Sequence, residues 1–332
     1  MNLYKHIPSC ISKVHSNILP LYANNCLIYT KNSKYIDLTS GIGALSTGHN
    51  HPYVINKVKN QLHKYVHLPQ QVFKTHPMQI ELTDKIIKTM PYSSLDNIFY
   101  VNSGSEAIDN AIKIARIYTK KSNIITMKGG FHGRTIGALS VTSSNINCRK
   151  DVSPLLSNIY FCNNFKKESF DNILEYQSSP DNTAAILLEP IQGERGIFSV
   201  NTEFLNYIKE ICTKNNILLI TDEVQCGAMR TGTWWNIEQK QIEPDLLTFG
   251  KGIASGYPLA GVIGSSEIMN SLDPGNLGGT YGGNAICSAA ASATIDILNR
   301  DEYFYDESVH LSENGHRIVA DHILKKIKNI LN

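Results

Sequence analysis

No apolar run in this 332-residue sequence approaches the ~20 residues needed to cross a bilayer, so a membrane-spanning reading falls away first. There is no C-x-x-C pair either. The seven cysteines, at 10, 26, 148, 162, 212, 226 and 287, are odd in number and dispersed. Such a set fits reduced thiols in the cytoplasm better than a disulfide framework or a zinc site. A formal net charge of +2 lacks the strong basic stripe of a nucleic-acid binder. Acidic residues are missing before Asp37, as in some transit peptides, but the same segment has no arginine and reads as structured, so no targeting signal is expected. Repeats and low-complexity linkers are absent too. What is left is an ordinary globular chain with 42% apolar and 18% charged residues, long enough for one large domain or a large one and a small one.

The middle of the chain alternates short apolar runs with helical patterns. "NIFYV" (97–101), "NIITM" (123–127), "AAILL" (184–188), "ILLIT" (217–221), "LLTF" (246–249) and "AGVIG" (260–264) read as strands. Helices are expected over 105–118, with Ile108, Ala111, Ile112 and Ala115 on one face, and over 203–215, with Phe204, Leu205, Ile208 and Cys212 inward. Near-continuous apolar strands separated by helices predict an α/β fold, a mostly parallel sheet of the seven-stranded type with helices on both faces. In such sheets ligands sit at the carboxyl ends of the strands. Residues 1–45 read as an extended arm, and 285–332 as mostly helical. The stretch "HILKKIKNILN" at the end places Ile323, Leu324, Ile327 and Leu331 on one face, the pattern of a half-buried domain helix more than of a membrane binder.

The unusual polar residues fall at those carboxyl ends. "VNSGSEAIDNAIKIAR" runs from strand through a tight loop into a helix, with Ser103 and Glu106 at capping-box spacing. The free N–H groups of the first turn, a close approach at Gly104 and the hydroxyl of Ser105 make an anion site suited to phosphate, although a plain capped helix reads the same way. "ITDEVQCG" sets Asp222 directly after a strand with Glu223 beside it. A metal pair is one reading, and a carboxylate holding a proton on a ring nitrogen is another. "LLEPIQGERG" presents Glu189 and Glu194, and "KGGFHGRT" presents Phe131, His132 and Arg134. An aromatic face can cover a flat ring, and an arginine can grip a carboxylate bidentately, while His132 reads equally as a structural histidine. "GGTYGG" places Thr280 in a turn able to approach a phosphate. In "LLTFGKGIASGYPLAG" the glycine-flanked Lys251 is, taken alone, a surface lysine at a turn. Taken together, a phosphate cradle, an acid for a ring nitrogen, a stacking aromatic and a lysine form the inventory that pyridoxal 5'-phosphate (PLP) requires.

At this point the sequence resembles the class III, omega-type aminotransferases of PLP fold type I, on "NSGSEAIDNAIKIAR", "GGFHGRT", "LLEPIQGERG", "ITDEVQCGAMRTG", "TFGKGIASGYPLAGV" and "GGTYGGN". "SGIGALSTGHNHP", "FHGRT" and "LGGTYGGN" look closest to the 4-aminobutyrate branch. The resemblance implies that Lys251 condenses with the cofactor aldehyde and then moves the proton in the 1,3-shift, and that Asp222 keeps the pyridine nitrogen protonated. Phe131 and Val224 would flank the ring, His132 would lie in the cofactor site, and Gln225 would approach the phenolic oxygen. Gly104 and Ser105 would hold the phosphate, with Thr280 reaching over from a second subunit of a homodimer. Ile42 and Arg134 would line the substrate site, Arg134 taking the distal carboxylate. Glu194 would pair with an arginine that it releases for the alpha-carboxylate of glutamate, and Glu189 would sit close by. No metal is implied.

The resemblance further implies an N-terminal arm over 1–45, a large PLP-binding domain over 46–284 and the helical start of a small domain over 285–332. The family continues beyond the helix expected at 313–331, whereas this sequence ends at Asn332, so the small domain is expected to be incomplete and Glu194 without its usual arginine partner. Two positions depart from the pattern. Arg195 replaces a glycine and would crowd the loop carrying Glu194, and Met229 replaces the glycine before "RTG". The expected activity is ping-pong transamination from a 4-aminobutyrate-like donor to 2-oxoglutarate. Acetylornithine, putrescine or beta-alanine as donor remains an alternative, as does a non-catalytic PLP-binding homologue. A metal enzyme built on Asp222 and Glu223 is the remotest reading, because no histidine lies near them in sequence.

Overall fold

The computed structural model describes residue 6, residues 8–11 and residues 18–300. The C-terminal helix expected over 313–331 lies outside the described residues.

Three short strands open the described chain: β1 Tyr22–Asn24, β2 Leu27–Tyr29 and β3 Lys34–Ile36, forming one antiparallel sheet. The main strands follow as β4 Asn97–Val101, β5 Asn123–Met127, β6 Ile159–Cys162 and β7 Thr183–Leu188. A two-stranded hairpin of β8 Ile191–Gln192 and β9 Phe198–Ser199 interrupts them before β10 Leu218–Asp222, β11 Leu246–Phe249 and β12 Ala260–Gly264. The seven main strands form one sheet in the order β4-β12-β11-β10-β7-β5-β6. Every neighbouring pair is parallel except those made by β12, which runs antiparallel to both β11 and β4. The carboxyl ends of β4, β5, β7, β10 and β11 therefore share one edge of the sheet.

The strands are legible as apolar runs because both of their faces are covered. Successive residues of β7 enter opposite cores, as the pleat of a strand requires. Ile186 and Leu188 join the core packed by the helices Lys167–Tyr176 and Thr202–Asn215, while Leu187 joins the other, against Gly104–Thr119. The same alternation recurs on β10, with Leu219 on the first side and Leu218 and Ile220 on the second. Each fully buried Leu or Ile of this kind contributes ~1.5–3 kcal/mol. Strand β6 is additional to the strands expected from sequence; it lies at the sheet edge, and its first three residues are only half-buried. The helix Ala285–Leu298 packs against Pro52–Leu62 and Pro77–Ile87, with Ala290, Ala293 and Ile297 meeting Val54 and Val58.

Candidate functional site

A cavity of about 570 Å³ opens at the shared carboxyl edge of the sheet. Each strand end delivers part of its lining. The turn after β4 leads into the helix Gly104–Thr119, whose cap Ser103 accepts a hydrogen bond from Glu106 N at 3.3 Å. Glu106 reaches back to Asn102 N at 2.6 Å rather than to the cap itself. Gly104 and Ser105, at the start of this helix, face the cavity. Both flanks of this turn are close-packed: a Cβ on Gly104 would lie 2.9 Å from Val224, and one on Gly133 would overlap the Ser105 hydroxyl. First-turn N–H groups, the Ser105 hydroxyl and the positive end of the helix dipole can together hold a phosphate.

Asp222 ends β10 and is buried. One carboxylate oxygen accepts from Val224 N and from the Thr248 hydroxyl, both at 3.1 Å. The other lies 2.7 Å from His132 Nδ1, so that ring nitrogen carries the proton, a carboxylate being able only to accept. Burial works against a charge on His132, yet the hydrogen bond to Asp222 and the charges of Asp222 and Glu189 hold its pKa above the ordinary histidine value. His132 thus couples to the site through Asp222, and its backbone N–H is fixed by Thr142 at 2.9 Å. Glu223, the neighbouring acid, does not line the cavity. It accepts from Asn236 N at 2.9 Å and Ile237 N at 2.8 Å, capping the next helix, and burial pushes its pKa up to about 7.

Lys251 follows β11 at φ 43°, in the left-handed region that a non-glycine residue rarely enters. Its amine is half-buried in the cavity and donates to the side-chain oxygen of Gln225. Burial lowers its pKa, partly offset by the charges of Asp222, Glu189 and Glu194. Glu189, just after β7, accepts from Phe131 N at 2.8 Å and Gly193 N at 3.3 Å, and burial raises its pKa to about 7. Phe131, Val224, Gln225, Glu194 and Ile42 also line the cavity. Ile42 is 76% exposed at φ 64°, an uncommon conformation for a β-branched residue.

Two sequence-derived candidates are not part of the lining. Arg134 is exposed, with its guanidinium carbon 5.8 Å from the Phe131 ring centre, and Thr280 lies in an exposed turn. Arg195 does not push Glu194 out of the site: its guanidinium turns to Lys128 O and lies 5.1 Å from the Phe198 ring centre, and Glu194 stays in the lining with Ser144 donating to it at 2.9 Å. Met229 sits at φ 66°, which gives a physical reason for a glycine there. Arg230, to which sequence reasoning gave no role, lines the cavity and donates to Gly43 O at 3.2 Å.

A family model described as aminotransferase class-III matches residues 11–318. The 5-aminovalerate aminotransferase of Pseudomonas putida is 38% identical over 317 residues, 92% of this chain and 74% of that relative. The 4-aminobutyrate aminotransferase of Escherichia coli is 36% identical over 309 residues, 89% of this chain and 71% of that relative. Among solved structures, the ornithine aminotransferase of Toxoplasma gondii, with partial occupancy of PLP at its active site, superposes with a TM-score of 0.79 at 27% identity, covering 90% of this chain and 70% of that one. The cavity fits such a cofactor: an amine, a buried carboxylate and a helix N-terminus with a hydroxyl converge on one space.

Proposed function

We propose that this chain, which belongs to the class-III aminotransferase family and is a PLP-dependent enzyme, moves the terminal amino group of an omega-amino acid of 4-aminobutyrate type to 2-oxoglutarate in a ping-pong sequence. The observation that carries the reading is the meeting of Lys251 and Asp222 in one cavity with the start of the helix Gly104–Thr119. When bound, PLP supplies an aldehyde carbon and an electron-accepting ring.

The chain's own groups then have separable tasks. Gly104 N–H and the Ser105 hydroxyl bind the phosphate, and Thr280 of a second copy closes over it. Asp222 holds a proton at the ring nitrogen, and His132 fixes the carboxylate that does so. Phe131 and Val224 flank the ring, with Gln225 at its phenolic oxygen. Lys251, its amine pKa lowered by burial, is the residue that takes and returns the proton at the reacting carbon. Ile42 and Arg134 shape the outer substrate site, where Arg134 takes the distal carboxylate, and Glu189 and Glu194 line the same space. We place the cofactor-binding unit at residues 46–284, and the working enzyme as a homodimer in the cytoplasm, for which seven free thiols are suited.

A donor screen with 2-oxoglutarate as acceptor tests the substrate. The expected result is that kcat/KM for 4-aminobutyrate or 5-aminovalerate exceeds that for acetylornithine, putrescine and beta-alanine by roughly tenfold or more, the scale of a site built around a charged group. A preference for acetylornithine or putrescine overturns the assignment.

A further inference from the structure

2-Oxoglutarate carries two carboxylates, and 4-aminobutyrate only one. Arg134 can answer the distal one. The second carboxylate is bonded directly to the reacting carbon, so its partner has to stand near Lys251 inside the cavity. Among the described residues, Arg230 is the arginine that lines that cavity. Its guanidinium is half-buried, forms no ion pair with a described residue, and has one hydrogen bond, to Gly43 O. A guanidinium has five N–H donors, so most of its fork is unused. Its positive charge is felt at the Lys251 amine, as are the negative charges of Asp222, Glu189 and Glu194.

A half-buried cation with free donors and no counter-charge is costly unless an anion completes it. Resting on the reading of 2-oxoglutarate as acceptor, we infer that Arg230 binds the alpha-carboxylate of the acceptor and of its product glutamate, using the N–H groups left over from Gly43. Arg230 is thereby a specificity-determining residue that separates alpha-amino acids from omega-amines at one reaction centre. The bond to Gly43 O also ties this arginine to the Ile42 turn, so the carboxylate end and the apolar wall of the site are held in register.

Glutamate is 4-aminobutyrate with one added carboxylate on the reacting carbon, which makes a matched pair of probes. In single-turnover reactions of the holoenzyme, Arg230→Gln is expected to lower the glutamate-to-4-aminobutyrate ratio of kcat/KM by roughly ten- to a hundredfold, the range for a hydrogen-bonded charged group. Arg230→Lys, which keeps the charge but not the fork, is expected to give a smaller loss. A second readout needs no turnover: calorimetry of the holoenzyme with 2-oxoglutarate and with 4-oxobutanoate, which lacks the alpha-carboxylate. Weakened binding of 2-oxoglutarate alone supports the inference. Equal losses for both members of a pair, or no loss in either, overturn it, because Arg230 then acts only through the Gly43 turn or not at all. If the unmodified enzyme turns over neither donor, the substrate assignment falls while calorimetry still decides on Arg230. If Arg230→Gln does not fold, Arg230→Lys supplies the comparison.

Discussion

Two clusters of partly buried charge sit in this molecule, and they are built on opposite principles. Where Pro52–Leu62, Pro77–Ile87 and Ala285–Leu298 meet, Glu81 lies 2.8 Å from Lys57 and 3.2 Å from Lys85, and Lys85 lies 2.6 Å from Asp296. Ser292 and Tyr53 supply the remaining hydrogen bonds, to Glu81 at 2.7 Å and to Asp296 at 3.0 Å. Burial alone would raise the Glu81 pKa, but hydrogen bonds from Lys57, Ser292 and Lys85 hold it down at about 2. In the cavity, by contrast, Glu189 is pushed up to about 7, the Lys251 pKa is lowered, and Arg230 has no described carboxylate partner. Saturated charge fixes three helices to one another. Unsaturated charge is left for a ligand to complete.

The largest effect comes from removing the amine. Lys251→Ala is expected to lower transamination on the order of 10⁵-fold, the scale of losing a group that acts directly on the reacting atoms. Borohydride should no longer fix the cofactor covalently to the protein, and a variant that still traps it would sink the role given to Lys251. Asp222→Asn keeps the shape and removes the charge. Turnover should fall by roughly 10²–10³-fold, as for the loss of one preorganised electrostatic partner. The His132 pKa, read by NMR, should fall with it, because Asp222 is what raises it. An unchanged His132 pKa would contradict the coupling.

How much of this is legible in the sequence follows from the same contrast. The strands at 97–101, 123–127, 246–249 and 260–264 appear with the expected bounds because burial on both faces writes itself as an apolar run. The half-exposed edge strand Ile159–Cys162 leaves no such mark. Lys251, Asp222, Phe131 and Ser105 can be found because their motifs fall at strand ends, which topology then gathers at one edge. The difference between Asp222 and Glu223 is not legible: adjacent side chains at a strand end point to opposite sides, so one acid enters the cavity and the other caps Asn236 and Ile237. Nor is Arg230, since an arginine in a turn looks solvent-facing until the fold places Gly43 beside it.

A smaller effect tests the saturated cluster. A carboxyl group whose folded pKa is depressed contributes stability above its unfolded value, here 4.5, and loses it as pH falls toward about 2. Glu81 has a side chain 39% exposed, so solvent screening leaves about 1–2 kcal/mol of this. Glu81→Gln should therefore lower the urea midpoint at pH 7 and flatten its decline between about pH 4.5 and 2.5. The parent and variant curves should converge at the acid end, and parallel curves would show that the ion pairs are not the source.

The smallest effect lies in the backbone beside the cavity. Ala228, Met229, Lys251, Ser255 and Ile42 all have φ between 43° and 66°. None of Lys57, Glu81, Lys85 and Asp296 is in that region. The left-handed conformation costs an L-residue roughly 1–2 kcal/mol, and glycine avoids that cost while losing ~0.5–1 kcal/mol in chain entropy. Met229→Gly should thus leave stability unchanged or raise it by less than about 1 kcal/mol, a shift of about 1–3 °C in Tm for a chain of this size. Because Arg230 is the next residue, the same substitution loosens the turn that aims its guanidinium. A rise in Tm accompanied by weaker 2-oxoglutarate binding would mean that the strain at Met229 serves to hold Arg230 in place, whereas a rise in Tm with unchanged binding would make it a strain without consequence for the site.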